Sequence, residues 1–241
     1  MKFLELKQSK CPFHKNLSNK QLKKKTASSL LQHIVNNKSL SRDETLTLCL
    51  ELLAGGIDTT STCAIFTMYQ LSRNQQYQQH LRQLLQNEHG KESDQFAKWL
   101  KACSTEAMRL NPLTYANARK TEKDLVLSGY QIPKGTVVRF TSHLMNLKNE
   151  KYFPEANKFR PERWVDRKSS LKCKQQFVFT PFGHGARQCP GRRIAEQELE
   201  LLFREILSKY HIDYKYDDIN TKVRLFNRAD KEPRFTFTPI S

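Results

Sequence analysis

The segment TPFGHGARQCPGRR, residues 180–193, brings one cysteine together with three of the chain's 8 glycines and with three arginines. Gly183 and Gly185 precede Cys189 and can adopt backbone angles that other residues avoid, so the chain can fold tightly there. Helical periodicity begins at about Arg192, which places the sulfur before the positive end of a helix and favours its anionic form. We interpret the segment as a rigid mount for a thiolate that either binds a soft metal or acts as a nucleophile.

The composition describes a folded and strongly basic chain. Its 241 residues are ample for a sizeable core, and 14 Phe with 8 Tyr argue against disorder. Lys and Arg outnumber Asp and Glu by 41 to 24, and the resulting charge of +17 favours anionic partners. The six cysteines include no Cys-x-x-Cys pair, so we expect reduced intracellular thiols rather than a zinc site or a disulfide framework.

Two other classes of function find little support in the sequence. The most apolar stretch, residues 45–72, carries Glu51 and Asp58, so we expect no transmembrane helix. Residues 1–26 are rich in lysine but lack a recognised nucleic-acid motif. We therefore expect a solvated basic segment there and no nucleic-acid partner.

Hydrophobic periodicity divides the chain into a helical first part and a mixed remainder. A capping box, Ser41-Arg-Asp-Glu44, opens the longest predicted helix. The fold class that we expect is mainly α with small β-sheets, an α+β fold. Helices are predicted at residues 28–36, 41–71, 74–88, 94–110, 140–148 and 192–210, strands around a turn within 125–138, a terminal strand at 234–238, and a long irregular segment at 150–181.

For two of these helices the sequence also predicts which side chains are buried. The helix that contains residues 46–71 is apolar nearly all round, so we expect it to run through the core. The last helix has an apolar face that should point inward, formed by Ala195, Leu199, Leu202 and Ile206.

The long helix contains an unusual segment, Ala54-Gly-Gly-Ile-Asp-Thr-Thr60. Each glycine in a helix interior costs about 1 kcal/mol relative to alanine. The Thr59 hydroxyl can bond the carbonyl of Gly55 and bend the helix, and Asp58 beside it could complete a proton path. The alternative is close helix packing at the glycines with a solvated Asp58.

A further pair, Glu106 and Arg109, lies three residues apart on a predicted helix. Such pairs are common on helix surfaces and say little alone. The later segment Phe159-Arg-Pro-Glu-Arg163-Trp offers a second arginine for the same carboxylate.

Together these segments resemble the cytochrome P-450 superfamily. Residues 54–60 are similar to its oxygen-activation segment. Glu106, Arg109 and Arg163 are similar to its Glu-x-x-Arg pair and the arginine that locks onto it. The resemblance covers residues 27–241 and implies the carboxyl-terminal portion of the cytochrome P-450 fold. The fixed positions of that family's haem-binding loop are all filled, by Phe182, Gly183, Gly185, Arg187, Cys189 and Gly191.

The resemblance also implies roles for these residues. Cys189 would be the axial ligand of the iron in haem b (iron protoporphyrin IX), and a thiolate ligand pushes electron density towards the iron. Arg187 and Arg119 would pair with the haem propionates. Thr59 and Asp58 would manage protons in catalysis, and Glu106, Arg109 and Arg163 would form a buried structural lock.

The implied activity is a monooxygenase that inserts one oxygen atom of O2 into a lipophilic substrate such as a sterol. Residues 54–61, 117–119 and 191–196 are similar to the mitochondrial branch, whose NADPH electrons arrive through an acidic, adrenodoxin-like ferredoxin. Lys101 matches one ferredoxin-contacting lysine, whereas Thr105 stands where that branch has a second. We expect the matrix face of the mitochondrial inner membrane, with peripheral membrane contact; the alternative is the endoplasmic reticulum.

The members of this family are about twice as long as this chain. We therefore expect a truncated form in which a basic segment, residues 1–26, precedes a haem-binding domain, residues 27–241, and the amino-terminal half is missing. The alternative is a catalytically inactive fragment that binds haem weakly or not at all.

Overall fold

A computed structural model of the protein describes residues 29–87, 93–141, 149–165, 178–224 and 226–240. The predicted basic segment, most of the predicted helix near residues 140–148 and part of the irregular segment lie outside these ranges. The chain forms two compact units, Met1–Glu51 and Leu52–Ser241. The boundary predicted between residues 26 and 27 stays a prediction.

The described part of the first unit contains α1 (Leu30–Val35) and the start of α2 (Arg42–Arg73). The Ser41 hydroxyl accepts a hydrogen bond from the Glu44 N–H at 3.2 Å, and the Glu44 carboxylate accepts one from the Ser41 N–H at 2.7 Å. The predicted capping box is therefore confirmed. The Ser41 N–H also holds the pKa of Glu44 below its ordinary value.

The second unit combines helices with small antiparallel sheets, as expected for the α+β class. Asn111 and Pro112 directly follow the helix that ends at Leu110, as the sequence predicts. Besides the rest of α2, the described helices are α3 (Gln75–Gln86), α4 (Ser93–Leu110), α5 (Glu162–Val165) and α6 (Arg192–Lys209).

The described strands pair in four two-stranded antiparallel sheets. These are β1 (Asn117–Lys120) with β4 (Val137–Phe140), β2 (Leu125–Leu127) with β3 (Tyr130–Ile132), β5 (Tyr210–Asp213) with β8 (Thr236–Pro239), and β6 (Thr221–Lys222) with β7 (Arg228–Ala229). The strands β1, β5, β6 and β7 were not predicted. All four are short, and the extended form of β1 and of β5 is stabilised by a partner that is distant in sequence.

The core of the second unit is built largely from aromatic and leucine side chains. Its largest fully buried apolar side chains are Phe66, Leu71, Leu81, Phe96, Phe153, Phe203, Leu207 and Ile212. In α2 the buried residues lie between Thr62 and Ser72. Leu53 and Ile57 are more than half exposed, so the expectation that the whole helix runs through the core was wrong for its first half.

Helix α2 is also a candidate membrane span by length and composition alone. Its mean hydropathy reaches 1.2 over eighteen residues. Only 17% of that window is buried, so the helix is not a fully packed core helix, but Glu51 and Asp58 interrupt the apolar run. Length and composition of one helix are weak evidence of a membrane span.

The buried face of helix α6 overlaps the predicted one, since Leu199 is buried and Ile206 packs against the core, but the prediction was wrong for Leu202. Leu199, Phe203 and Leu207 are buried, whereas Leu202 is 39% exposed. The sequence offers apolar residues at 201, 202, 203, 206 and 207, which form two overlapping stripes. Packing against α3 and α4 selects the stripe that buries the larger ring of Phe203.

This orientation of α6 can be tested with two leucines on the same helix. We expect Leu207→Ala to lower the free energy of unfolding by about 2–5 kcal/mol, because the side chain is fully buried. Leu201→Ala is the matched control, and at 62% exposure it should change stability by less than about 0.5 kcal/mol. Urea unfolding measures both, and equal losses would contradict the observed orientation.

Candidate active site

Backbone hydrogen bonds define the loop around Cys189. The Cys189 N–H donates to the Phe182 carbonyl at 2.8 Å, and the Gln188 N–H donates to the Gly185 carbonyl at 3.0 Å. Gly183 and Gly185 both have φ of +74°, in the left-handed region that side chains disfavour. The two glycines therefore permit the reversals that close this loop.

The Cys189 side chain lies on the surface of the loop. It is a free thiol and is exposed, so its sulfur is not sealed among aliphatic neighbours. Gly191 caps α6 directly after it, and an added Cβ there would lie 4.0 Å from Sγ. Among the described residues, no three His, Cys, Asp or Glu side chains cluster as metal ligands, so the loop offers a metal one thiolate.

Two arginines predicted to bind an anionic group are both exposed. Arg187 belongs to a 3₁₀ turn inside the loop, Gly185–Arg187. Arg119 lies on β1, and its Nη1 donates to the Ala118 carbonyl at 2.8 Å. Both guanidinium groups can therefore be reached by a carboxylate from solvent.

A buried carboxylate lies at the centre of the second group of predicted residues. Glu106 is fully buried and accepts hydrogen bonds from Arg109 Nε at 2.9 Å and from Arg109 Nη2 at 2.8 Å. It also accepts from Arg163 Nε at 3.2 Å, from the Arg160 N–H at 3.1 Å and from Trp164 Nε1 at 2.8 Å. The structure thus brings Glu106, Arg109 and Arg163 together.

The two arginines extend this network into the irregular segment of the chain. Arg109 is also fully buried, and its Nη1 donates to the Ala156 carbonyl at 2.7 Å. Arg163 Nη2 donates to the Glu155 carbonyl at 2.9 Å. Burial lowers the pKa of Arg163, while the charge of Glu106 acts in the opposite direction. One ion pair thereby orders a stretch that has little regular secondary structure.

Trp164 connects the buried carboxylate to the cysteine loop. Its Nε1–H donates to Glu106, and its ring lies 5.4 Å from the ring of Phe179. Phe179 is buried three residues before Phe182, where the loop begins. The sequence placed Trp164 beside the second arginine, but no sequence signal indicated that it bonds Glu106.

The predicted acid and hydroxyl on α2 have partners of their own. Thr59 Oγ1 donates to the Gly55 carbonyl at 2.6 Å, as the sequence predicts. The Asp58 carboxylate accepts a hydrogen bond from Arg228 Nη2 at 3.0 Å. Arg228 lies on β7, 170 residues away, and no feature of the sequence pointed to it.

The paired glycines of α2 face open space. A Cβ added at Gly55 or Gly56 would meet no atom within 4 Å. The alternative of close helix packing at these glycines is therefore not seen among the described residues. The two glycines lower the helix propensity of this segment, which precedes the Thr59 hydroxyl.

Comparison with known proteins gives a consistent family assignment. A family model described as Cytochrome P450 matches residues 6–237. The chain is 34% identical over 216 residues to "Probable cytochrome P450 12c1, mitochondrial" of Drosophila melanogaster, covering 83% of this chain and 41% of the relative. It is 33% identical over 222 residues to "Cytochrome P450 11B1, mitochondrial" of Rattus norvegicus, covering 88% and 43%.

A molluscan relative shows the same partial coverage. The chain is 32% identical over 222 residues to "Cytochrome P450 10" of Lymnaea stagnalis, covering 87% of this chain and 40% of the relative. The chain therefore spans about two fifths of the length of the relatives that it matches.

Substitution of the α2 glycines tests whether the space beside them is open. We expect Gly56→Ala to raise the free energy of unfolding by about 1 kcal/mol, because alanine favours the helix and meets no neighbour. Gly185→Ala also enters open space but has φ of +74°, so it should cost about 1–2 kcal/mol. Loss of stability in Gly56→Ala would show that another group packs there.

The buried carboxylate provides a second test. Glu106→Gln should lower the free energy of unfolding by roughly 3–5 kcal/mol, because Arg109 would keep its charge in a fully buried position. Glu205→Gln removes the half-exposed pair with Lys209 on α6 and should cost no more than about 0.5 kcal/mol. Equal effects in thermal or urea unfolding would contradict the importance of the buried pair.

Proposed function

Because the chain belongs to the cytochrome P450 family, we propose that it forms the haem-thiolate part of a monooxygenase. The observation that carries this proposal is the exposed Cys189 thiol on a loop closed by two left-handed glycines. Haem b bound through this sulfur would supply an iron centre at which O2 is activated, with electron density donated by the thiolate. The proposed overall reaction inserts one oxygen atom into a lipophilic substrate.

The residues present fit a haem group. The exposed Cys189 offers one axial ligand, as a porphyrin iron requires. The exposed guanidinium groups of Arg187 and Arg119 suit the two propionates. Phe182, Gly183, Gly185 and Gly191 complete the proposed binding loop, in which glycine backbone leaves space for a flat ligand.

Proton management is the role that we propose for Asp58 and Thr59. The Thr59 hydroxyl donates to a backbone carbonyl, which leaves its oxygen free to accept a hydrogen bond from a neighbour. Asp58 is the adjacent acid, and Arg228 orients its carboxylate. An acid and a hydroxyl at neighbouring positions of one helix can pass protons to a bound group.

We propose that the buried lock formed by Glu106, Arg109 and Arg163 supports the cysteine loop structurally. These residues do not need to contact the ligand. Glu106 bonds Trp164, and Trp164 contacts Phe179 at the base of the cysteine loop. Rigid support of this kind keeps a metal ligand in position.

The relatives named mitochondrial support a finer proposal. We propose that the donor is an acidic, adrenodoxin-like ferredoxin that brings electrons from NADPH, and that the substrate is sterol-like. The charge of +17 would attract such a donor. We place the protein on the matrix face of the mitochondrial inner membrane, with peripheral contact to the lipid.

The decisive experiment is the carbon monoxide difference spectrum. After reconstitution with haem, reduction and addition of carbon monoxide, the chain should show the strongly red-shifted band of thiolate-ligated haem. Cys189→Ala should abolish the band, because it removes the ligand. Cys49→Ala is the matched control, since Cys49 is also a free thiol, and its band should persist.

The same spectrum separates the proposal from its alternative. Folded chain without the band would favour a catalytically inactive fragment that binds haem weakly or not at all. Exposed apolar side chains such as Leu53 and Ile57 are the observation that favours this alternative.

A further inference from the structure

Three charged side chains join α4 and α6 close to the cysteine loop. Glu196 Oε2 accepts a hydrogen bond from Lys101 Nζ at 2.8 Å, and Glu196 Oε1 accepts one from Arg192 Nε at 2.9 Å. Lys101 lies on α4, whereas Arg192 and Glu196 lie on α6. A single carboxylate therefore engages cationic groups from two helices.

The cationic groups of this cluster remain accessible from solvent. Lys101 and Arg192 are each 50% exposed, and Glu196 is 28% exposed. Burial acts to raise the pKa of Glu196, but the hydrogen bonds from Lys101 and Arg192 outweigh it and hold the pKa below its ordinary value. Glu196 is therefore charged at neutral pH while both cations can still meet a second carboxylate.

The cluster borders a groove of about 550 Å³ between the two helices. Lys98 and Arg193 also line this groove and are exposed, so its rim is basic. The other acid of the groove, Glu200, accepts a hydrogen bond from Arg204 at 2.9 Å. A surface of this charge is complementary to an acidic protein.

We propose that Glu196 is an internal substitute for a carboxylate of an acidic protein partner. It holds Lys101 and Arg192 while the surface is free and releases them when the partner docks. Exposed ion pairs are weak, so the exchange of one carboxylate for another costs little. This inference rests on the proposed function, in which the partner is an acidic iron–sulfur ferredoxin.

The position of Arg192 favours an electron donor over other acidic partners. Its guanidinium lies 5.1 Å above the ring of Phe182, and the Phe182 carbonyl accepts the Cys189 N–H. A partner carboxylate that reaches Arg192 therefore comes close to the cysteine loop. Short separation between donor and acceptor is what electron transfer to a group on Cys189 requires.

The second cation lies on another helix than the second lysine of the mitochondrial branch, at whose position this chain has Thr105. Position 105, one turn after Lys101 on α4, is a threonine whose hydroxyl donates to the Lys101 carbonyl. The structure supplies Arg192 from α6 in place of a second lysine on α4. Two cations thus bind the Glu196 carboxylate, Lys101 from α4 and Arg192 from α6.

Two glutamates on α6 allow a matched test. Glu196→Gln and Glu200→Gln each remove one negative charge, one helical turn apart, but only the first releases Lys101 and Arg192. We expect Glu196→Gln to tighten the Kd for an acidic ferredoxin by about three- to tenfold at low salt, and Glu200→Gln to change it by less than about twofold. Lys101→Gln added to Glu196→Gln should remove the part of the gain that Lys101 supplies and leave the part that Arg192 supplies.

Several outcomes would overturn the proposal. Equal gains in the two glutamate variants would show a general charge effect, and weaker binding by Glu196→Gln would show that Glu196 organises the surface. Absence of ferredoxin binding in both the unmodified chain and Glu196→Gln would also exclude it. A gain that appears with phosphatidylserine vesicles and not with ferredoxin would identify a membrane contact instead.

The carbon monoxide spectrum distinguishes this proposal from the proposed function. Glu196→Gln should keep the thiolate-haem band, because Glu196 does not touch the iron ligand. If the band is present and the affinities are unchanged, only the role of Glu196 fails. If the band is absent from the unmodified chain, the proposed function fails, and ferredoxin titration of the haem-free chain still decides whether Glu196 competes for the cations.

Discussion

The buried ion pair of Glu106 and Arg109 is the constraint on which the second unit depends. Both side chains are fully buried, and a charge in such a place is tolerated only when its hydrogen-bonding capacity is met. The carboxylate meets this condition with Arg163 and Trp164, and the guanidinium meets it with backbone carbonyls. Because these partners come from residues 156–164, satisfying the charges also positions a segment that lacks long helices or strands.

The same network bears on the proposed chemistry, although it supplies no reacting group. Trp164 bonds the Glu106 carboxylate and packs against Phe179, and the cysteine loop starts three residues after Phe179. The loop itself is closed by local backbone bonds and by two left-handed glycines. The contact between Trp164 and Phe179 and the backbone turns of the loop therefore act together to hold the exposed Cys189 sulfur in position.

Helix α2, in contrast, is packed into the core along only part of its length. Its second half packs into the core, whereas Gly55 and Gly56 face open space and Leu53 is exposed. The two glycines lower the stability of the helix and meet no neighbour among the described residues. Asp58 and Thr59 follow them on the same helix, and the proton path that we propose for these two residues starts there. We propose that the basic surface of α4 and α6 serves a separate step, the approach of an acidic partner.

The sequence by itself determined whatever depends on near neighbours. Ser41 and Glu44 cap a helix because they are three residues apart, and the glycine spacing around Cys189 sets a turn because φ is a local angle. Motif spacing and hydrophobic periodicity alone also identified the family and most helix ends. Only the tertiary structure decided which stripe of α6 is buried, that Trp164 completes the shell of Glu106, and that Arg228 holds Asp58. These contacts join residues that are far apart in the chain. For each contact the sequence contains several residues of the same type that could make it, and only the packing of the folded chain determines which one does.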